Sequence, residues 1–401
     1  MSWHQARACN LGSLLESSPQ NGYSPICHEQ ATGKWVLGLS ALKGASLDLR
    51  EAKPAPLDEP MVDRFFLRPG DFLITRSNTL DKVGRVGVFR GGLDNCSYPD
   101  LMMRFRPLLQ KVDPSYLEVY LKSELVVKYI RQHATGTSGS MKKINQATVE
   151  SIPILLPSIQ EQKRIAEISV VWNASIEKTE HLITAKESHY TYELSRLISQ
   201  GKHPRSHVGN FAREVSERNF GGNDERVLSV TNSRGFVLPE DQFERRVASA
   251  DLSNYKVVAR GQYAYNPSRI NVGSIARLDD WDMGVLSPMY VVFGLDGAKV
   301  NSDYFLHWLD SYEARERIKK SAQGSVRETV SFTEFSAIAF PLPDLDMQAA
   351  IARYLNALRE EISTLGVYVE KLKEQKRGLM QKLLTGQWRV TIPTSKEVPH
   401  V

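Results

Sequence analysis

The stretch "LPSIQEQKRIAEI", from Leu156 to Ile168, is followed much later by a related stretch, "LPDLDMQAAIARY", from Leu342 to Tyr354. Each copy opens with Leu-Pro and places a glutamine five residues after that proline, at Gln162 and Gln348. Both copies lead into a long segment with helical spacing of apolar residues. A junction that occurs twice in this form indicates that the chain contains two copies of one module.

The duplication extends well beyond the junction. Weak matches occur in the same order along both halves of the chain, and together they predict a globular domain of about 150 residues followed by a long helix in each copy. The matched segments are 9–17 with 206–214, 69–77 with 260–268, 81–89 with 270–278, 96–105 with 285–293, and 114–140 with 302–325.

Each globular domain carries both strand and helix signals. Short apolar segments such as "FLITRS", "VGVFRGG" and "MYVVFGL" are bounded by Gly, Asp and Pro, as strands are. The segments "SYLEVYLKSELVVKYIRQHA" and "DYFLHWLDSYEARERIKKSA" have helical periodicity, and a Gly/Ser loop, "TGTSGS" or "QGS", follows each. The domains are therefore predicted to be mixed α/β.

The two long helices each carry an apolar stripe with coiled-coil spacing. The second helix starts at Pro343 and Asp344, ends at Gly386, and spans roughly 60 Å for some 40 residues. An exposed helix with such a stripe needs a partner, and the economical partner is the other long helix, paired antiparallel. The alternative is that each helix packs only on its own domain. The stripe of the second helix comprises Leu355, Leu358, Ile362, Leu365, Val369, Leu372, Leu379 and Leu383, with Lys376 at the position between Leu372 and Leu379. The stripe of the first helix comprises Trp172, Ile176, Ile183, Tyr190 and Leu197, and it is interrupted by Thr179, Lys186 and Glu193.

These patterns divide the chain into five segments. They are a first globular domain (1–155), a first long helix (156–200), a second globular domain (201–343), a second long helix (344–388) and a C-terminal tail (389–401).

Composition restricts the class of protein. The 401 residues are 41% hydrophobic and 24% charged, and no apolar segment is long enough to span a bilayer. Three cysteines without metal-ligand spacing suggest the reducing cytoplasm. The net charge of +5 is weak evidence for a polyanionic partner, but eight basic and four acidic residues lie between Arg64 and Arg106.

Catalytic motifs are missing from the sequence. "ATGKW" around Lys34 lacks the remainder of a phosphate-binding loop, and the nine histidines form no metal-ligand pattern. "YNPSR", from Tyr265 to Arg269, superficially suggests the motif of adenine methyltransferases, but Ser268 and Arg269 replace the second proline and the aromatic residue. We predict no catalytic site and no metal site. A degraded enzyme is a further alternative, which no relic motif supports.

The order of these features resembles the specificity subunit of Type I restriction-modification enzymes. The likeness covers essentially the whole chain, and its most specific parts are the Leu-Pro…Gln junctions and "LMQKLLTG", from Leu379 to Gly386. The second junction departs from the pattern, because Met347 stands where the first has Glu161. A carboxylate at a helix start contributes only a few tenths of a kcal/mol, so this departure puts little in doubt.

The resemblance implies an α+β protein in which two mixed α/β target-recognition domains are joined by two long helices pairing as an antiparallel coiled coil. It implies a non-catalytic subunit that reads a bipartite, asymmetric site in double-stranded DNA. Its implied partners are two methyltransferase subunits, which carry the S-adenosylmethionine, and restriction subunits where these exist. The subunit itself would hold no cofactor and would contribute to DNA methylation and phage defence in the cytoplasm, without a membrane role.

DNA readers use Arg and Lys for phosphates and guanines, and Asn, Gln and Ser for other base edges. Loops at equivalent positions of the repeat offer such side chains, although an ordinary turn or helix cap is an equally good interpretation of any single residue. The candidates are Arg76, Ser77, Asn78, Lys82, Arg85, Ser138, Ser140, Lys142 and Lys143 in the first domain, and Asn266, Ser268, Arg269, Asn271, Ser325 and Arg327 in the second.

The sequence also allows a function of another class, that of a non-catalytic scaffold. Two protein-binding heads on a coiled coil would give the same pattern of domains and helices. Such an adaptor would have no salt-dependent affinity for DNA, whereas a specificity subunit would co-purify with a DNA methyltransferase.

Overall fold

The computed structural model describes residues 7–43, 47–136, 141–220, 226–239, 251–323 and 329–391. Its contacts divide the chain into two compact units. Unit 1 is Met1–Lys178 with Val369–Val401, and unit 2 is Thr179–Tyr368. Each unit therefore holds one globular domain together with a part of each long helix. No helix within the described ranges is long and apolar enough to cross a membrane.

The first domain, here called domain 1, and the long helix after it are built from short strands and helices. The strands are β1 (Arg7–Asn10), β2 (Gln20–Asn21), β3 (Trp35–Leu37), β4 (Ala52–Pro54), β5 (Phe72–Thr75), β6 (Ser77–Asn78), β7 (Val86–Val88), β8 (Cys96–Ser97), β9 (Met102–Phe105), β10 (Lys142–Lys143) and β11 (Pro153–Leu156). The helices are α1 (Pro60–Asp63), α2 (Pro114–Leu121), α3 (Glu124–His133), α4 (Gln146–Glu150) and α5 (Ile159–Leu194), which continues into a π-helical turn at Ser195–Ser199.

The second domain, domain 2, repeats this plan. Its strands are β12 (Arg205–His207), β13 (Ala212–Val215), β14 (Ser229–Thr231), β15 (Gly235–Val237), β16 (Lys256–Ala259), β17 (Tyr263–Tyr265), β18 (Ile275–Arg277), β19 (Met283–Leu286), β20 (Val291–Leu295) and β21 (Ala339–Pro341). Its helices are α6 (Ser302–Asp310), α7 (Tyr312–Gln323) and α8 (Phe332–Ser336), and the second long helix is α9 (Leu345–Leu384).

The two domains share a sheet topology. Domain 1 has a four-stranded sheet in the order β2-β9-β5-β7, and domain 2 has one in the order β13-β20-β17-β18, antiparallel throughout. A two-stranded ladder, β1-β11 or β12-β21, closes the base of each domain. The smaller sheets differ, being β4-β3-β8 in domain 1 and β14-β15 with β16-β19 in domain 2. The predicted duplication, the mixed α/β domains and the two long helices are confirmed.

The main core of each unit includes the ends of both long helices. In unit 1, Ile165 from the start of α5 and Leu383 from the end of α9 are buried with side chains of the four-stranded sheet and of α2. In unit 2, Leu355 from α9 and Ile198 from the turn after α5 are buried in the equivalent core. Burial of such side chains contributes about 1.5–3 kcal/mol each, so the helix ends are fixed to the domains that they enter.

The two segments predicted from their periodicity to be helical are helical, and each is divided into two helices. Domain 1 has two helices, α2 and α3, with Ser123 as the N-cap residue of α3. In domain 2, α6 ends at Ser311, whose hydroxyl donates to the Trp308 carbonyl and accepts from the Ala314 amide. Serine competes with the backbone for hydrogen bonds and therefore favours caps over helix interiors, which accounts for the break at Ser311. The break at Ser123 lies at the matched position but has no side-chain cap hydrogen bond.

The glutamine of each junction joins the long helix to its domain. Gln162 accepts a hydrogen bond from the Asp113 amide (2.8 Å) and donates to the Pro157 carbonyl (2.9 Å). Gln348 accepts from the Asn301 amide (2.8 Å) and donates to the Pro343 carbonyl (2.8 Å). Asp113 and Asn301 are the N-caps of α2 and α6. The repeated glutamine is therefore a buried connection between the start of each long helix and the helix beside it.

Replacing Gln348 by Leu is expected to lower the free energy of unfolding. The apolar side chain would leave a buried amide and a buried carbonyl without partners, at a cost of about 1–3 kcal/mol per group. A thermal melt followed by circular dichroism measures this effect. Gln381→Leu, an exposed position of α9, is the control. Equal melting midpoints for the two variants would contradict the connecting role of Gln348.

The two junctions differ at Glu161 in a way that concerns the C-terminal tail. Glu161 and Ser158 form a reciprocal cap at the start of α5, and Glu161 also accepts from the guanidinium of Arg389 (2.7 Å). Burial alone would raise the pKa of Glu161, but the hydrogen bonds from Arg389 and Ser158 outweigh it and lower the pKa. At the second junction Met347 is half exposed. The carboxylate thus ties residue 389 to the start of α5 within unit 1.

The residues predicted for the apolar stripes are the less exposed side chains of both helices. All stripe positions are half-buried or buried, including the interrupting Thr179, Lys186 and Glu193 and also Lys376. In unit 1, Lys376 donates to the Asn173 side chain. In unit 2, Lys186 pairs with Glu361 (2.8 Å). Segments of α5 and α9 therefore contact each other within each unit.

A buried histidine connects α6 to both long helices in unit 2. Arg359 donates to the Tyr190 phenol (2.8 Å), which leaves the phenol hydrogen for Nδ1 of His307 (2.9 Å). Nε2 of His307 then donates to the Asn356 side chain (2.8 Å). Burial and the charge of Arg359 lower the pKa of His307, so the imidazole is neutral and both of its nitrogens are satisfied.

Candidate nucleic-acid interface

The candidate residues of domain 1 come together at one small ladder. The loop after β5, residues 76–85, is called loop 1. Its first residues form β6, which pairs antiparallel with β10 so that Asn78 lies opposite Lys142 and Ser77 opposite Lys143. The amide of Ile144 donates to the Arg76 carbonyl (2.9 Å). Two segments far apart in sequence are thereby held side by side.

The side chains of loop 1 differ in exposure. Arg76 is half-buried, with one long hydrogen bond of 3.5 Å to the Asp100 carbonyl. Ser77 is 2% exposed, so its hydroxyl does not reach the surface. Asn78 accepts from the amide of Thr79 (2.9 Å). Of this group, Arg76 has the most freedom to contact a ligand.

The remaining basic residues of domain 1 extend this surface. Lys82 is exposed, and Arg85 lies 4.0 Å from Asp81. Lys142 donates to the Gly136 carbonyl (2.6 Å), and Lys143 is exposed. Asp81 is acidic, and its hydrogen bond from Thr79 lowers its pKa, so it stays charged, yet cations outnumber carboxylates on this surface. Such a surface favours a polyanion.

In domain 2 the equivalent loop, residues 266–274, is called loop 2. The Asn266 side chain accepts from the Ser268 amide (3.0 Å), which shapes the turn and leaves Ser268 and Arg269 exposed. Asn271 is half-buried. Within the described part of the chain the Arg269 side chain has no hydrogen-bond or ion-pair partner. Its guanidinium is therefore available to an external acceptor.

The two loops occupy the same place in the repeat. The Val330 amide donates to the Pro267 carbonyl (3.1 Å), just as the Ile144 amide donates to the Arg76 carbonyl. Residues 267 and 76 match each other in the sequence alignment of the two copies. The structure thus brings the segment after each Gly/Ser loop to the candidate loop of its own domain. The candidates Ser138, Ser140, Ser325 and Arg327 lie outside the described residues.

One exposed turn near loop 2 was missed by the sequence reasoning. The β14-β15 hairpin turns at Asn232, Ser233 and Arg234, all exposed. The hairpin contacts loop 2, because the Ser274 hydroxyl donates to the Val230 carbonyl (2.8 Å). The signal was present as "VTNSRGFV", a turn of polar residues and Gly between strand-forming residues. These three side chains are further candidates for contact with a ligand.

No group of three or more His, Cys, Asp or Glu side chains within the described ranges could hold a metal ion. Besides the carboxylate of Asp81, the exposed polar groups of loops 1 and 2 are cations, amides and hydroxyls. Such cations, amides and hydroxyls can bind phosphates and base edges.

Comparisons with known proteins agree with this chemistry. Residues 65–184 match the family model described as "Type I restriction modification DNA specificity domain". The putative type I restriction enzyme MjaX specificity subunit of Methanocaldococcus jannaschii is 22% identical, over 92% of this chain and 91% of that protein. The type I restriction enzyme EcoKI specificity subunit of Escherichia coli K12 is 28% identical over 48% of this chain and 42% of that protein.

Solved structures show the same fold. A chain from a type I R-M system superposes with a TM-score of 0.62 at 12% identity, over 97% of this chain and 100% of that one. The S subunit of the Type-I restriction-modification system from M. genitalium superposes with a TM-score of 0.56 at 14% identity, over 95% and 96% of the two chains. Sequence matches, fold and duplicated domains agree, and the chain is similar to the specificity subunits of Type I restriction-modification enzymes.

Proposed function

We propose that the chain reads a bipartite, asymmetric DNA target, one half with each domain, and directs methyltransferase subunits to it. Loops 1 and 2 would contact base edges and phosphates, and each with its neighbouring segment would form one recognition surface. On this proposal the domains follow the division predicted from the sequence, and the chain itself performs no chemistry.

One observation carries this proposal. The two loops are held by the same backbone hydrogen bond at matched positions, yet they present different side chains. Loop 1 begins Arg76-Ser77-Asn78, and loop 2 has Pro267-Ser268-Arg269 at the matched positions. A common frame with different side chains is what a reader of two unlike half-sites requires, because donors and acceptors on the side chains determine which base is accepted.

The long helices would pair antiparallel and connect the two recognition surfaces. Asn173 of α5 contacts Lys376 of α9, whereas Lys186, further along α5, contacts Glu361, which lies earlier in α9. This order of contacts is the one expected for antiparallel helices. The half-buried stripes on both helices support this pairing. The outward faces of the helices would serve as the docking surface for two methyltransferase subunits.

The methyltransferase subunits would hold the S-adenosylmethionine, and restriction subunits would join where the system includes them. The complex would act on DNA in the cytoplasm.

The purified chain is expected to show no turnover of S-adenosylmethionine and no cleavage of DNA. With its methyltransferase subunits it should transfer methyl groups from labelled S-adenosylmethionine to one bipartite site. The check is a filter assay on the chain alone, on the methyltransferase subunits alone and on the complex. Methyl transfer by the chain alone would refute the non-catalytic role. Failure to bind both DNA and a methyltransferase would favour the protein-binding adaptor.

A further inference from the structure

Arg131 in the last turn of α3 and Lys319 in α7 are cations at the same position of the repeat. The match is anchored by the preceding residues, Ile130 and Ile318, which are 1% and 3% exposed in their domain cores. Among the aligned positions of these two helices, this is the one at which both copies have Arg or Lys. The two domains differ widely in sequence, so a shared exposed cation is informative.

In domain 1 this cation lies beside loop 1. Gly84 of loop 1 has a φ of 78° and approaches α3 so closely that a Cβ there would lie 2.5 Å from Ile130. Thr135, which follows the C-cap residue Ala134 of α3, exchanges two backbone hydrogen bonds with Lys143 (2.9 Å each). Lys143 in turn pairs with Ser77. With adjacent strands about 4.8 Å apart, the end of α3 is about 10 Å from the start of loop 1.

Domain 2 repeats this arrangement. The helix α7 contacts the 3-10 turn Ile270–Val272 of loop 2. Ile318 of α7 and Ile270 of loop 2 belong to the same core. Lys319 therefore stands next to loop 2, as Arg131 stands next to loop 1.

Both cations are exposed, and within the described ranges neither has a hydrogen-bond or ion-pair partner. Two cations nearby are paired instead, while Lys128 of α3 and Lys320 of α7 are also exposed. Arg317 of α7 pairs with Glu313 (2.8 Å), and Lys122, just before α3, pairs with Glu118 (2.6 Å). A cation at a helix C-terminus also stabilises the helix modestly, and that purely structural role is the competing explanation.

We propose that Arg131 and Lys319 are matched phosphate contacts, one for each half of the DNA target. This inference rests on the proposed function and adds to it the residues that position the duplex backbone against loops 1 and 2. A phosphate contact fixes register and orientation without reading sequence. That role explains why the position keeps its charge in both domains while the residues of the loops differ.

The test uses the complex of the full chain with its methyltransferase subunits and two 30-base-pair duplexes. One carries the motif that methylome sequencing identifies, and the other carries it scrambled. Arg131→Ala and Lys319→Ala are compared with Lys111→Ala and Lys299→Ala. The control lysines also match each other in the repeat and are exposed, but they donate to the carbonyls of Ser13 and Asn210, beside the helix junctions. All four changes remove one charge.

Each test variant is expected to bind both duplexes about five- to tenfold more weakly at low salt, with its preference for the motif unchanged. The slope of log affinity against log salt concentration should fall by about one. The controls should bind as the wild type does. If the test variants bind like the controls, or melt at lower temperature while binding normally, the phosphate assignment is overturned. A wild-type complex without preference for the motif duplex would overturn the proposed function instead.

Discussion

In the assembled methyltransferase, Arg76→Ala is expected to change recognition of one half of the DNA target only, and Arg269→Ala that of the other half. Arg76 is half-buried with one weak hydrogen bond, and Arg269 is exposed without a partner in the described chain. Neither guanidinium is needed to hold its loop, because backbone hydrogen bonds from Ile144 and Val330 do so. The loss should therefore appear in DNA binding and not in folding.

The way in which DNA affinity falls shows whether each arginine contacts a base or a phosphate. If the arginine makes two hydrogen bonds to a guanine, its removal costs about 1–3 kcal/mol and relaxes the preference at one base pair. If it binds a phosphate, affinity for all sequences falls alike and the salt dependence flattens. Affinities for a set of duplexes with single base changes distinguish the two. Lys111→Ala serves as the control, and normal binding of every duplex by both arginine variants would show that loops 1 and 2 are not the recognition surfaces.

Lengthening both long helices by four residues is expected to lengthen the unspecified spacer between the half-sites. Insertions after Glu180 in α5 and after Tyr368 in α9 each add about 6 Å, which corresponds to one to two base pairs of DNA. Four residues are roughly one helical turn, so the apolar stripes stay nearly in phase. The bases recognised in each half should not change, because the domains are untouched.

Insertion of two residues at the same places provides the contrast. It would rotate the stripe beyond the insertion by about half a turn and expose the half-buried side chains, so assembly should fail. Methylome sequencing of cells with each variant reports both outcomes. An active four-residue variant that methylates the original motif with its original spacer would contradict the role of the helices in setting the spacing.

The helices and strands that depend on nearby residues could be predicted from local patterns in the sequence. Stripe spacing identified the long helices and even the half-buried polar positions Thr179 and Lys186, because helical periodicity alone decides which face is covered. Alternation of apolar segments and turns located the strands of both sheets. Helical periodicity also located the segments that form α2 with α3 and α6 with α7, but periodicity alone did not show where each segment is divided.

Long-range pairings could not be predicted from the sequence. Gln162 marked the junction, but nothing in its neighbourhood pointed to the Asp113 amide as its partner. The Glu161–Arg389 ion pair joins opposite ends of unit 1, and the hairpin at Asn232 meets loop 2 only through the sheet packing. Such contacts depend on how the strands are ordered in space, and one sequence does not determine that order.

The central claim is that this chain selects the DNA sequence at which its partners act. The most direct test is methylome sequencing of the host with the gene intact, deleted, and restored with the Arg76→Ala/Arg269→Ala double variant. We predict one asymmetric motif of two specified halves around an unspecified spacer, methylated with the intact gene, unmethylated after deletion, and lost or relaxed in both halves with the double variant. Methylation of the same motif in the absence of the chain would contradict the account.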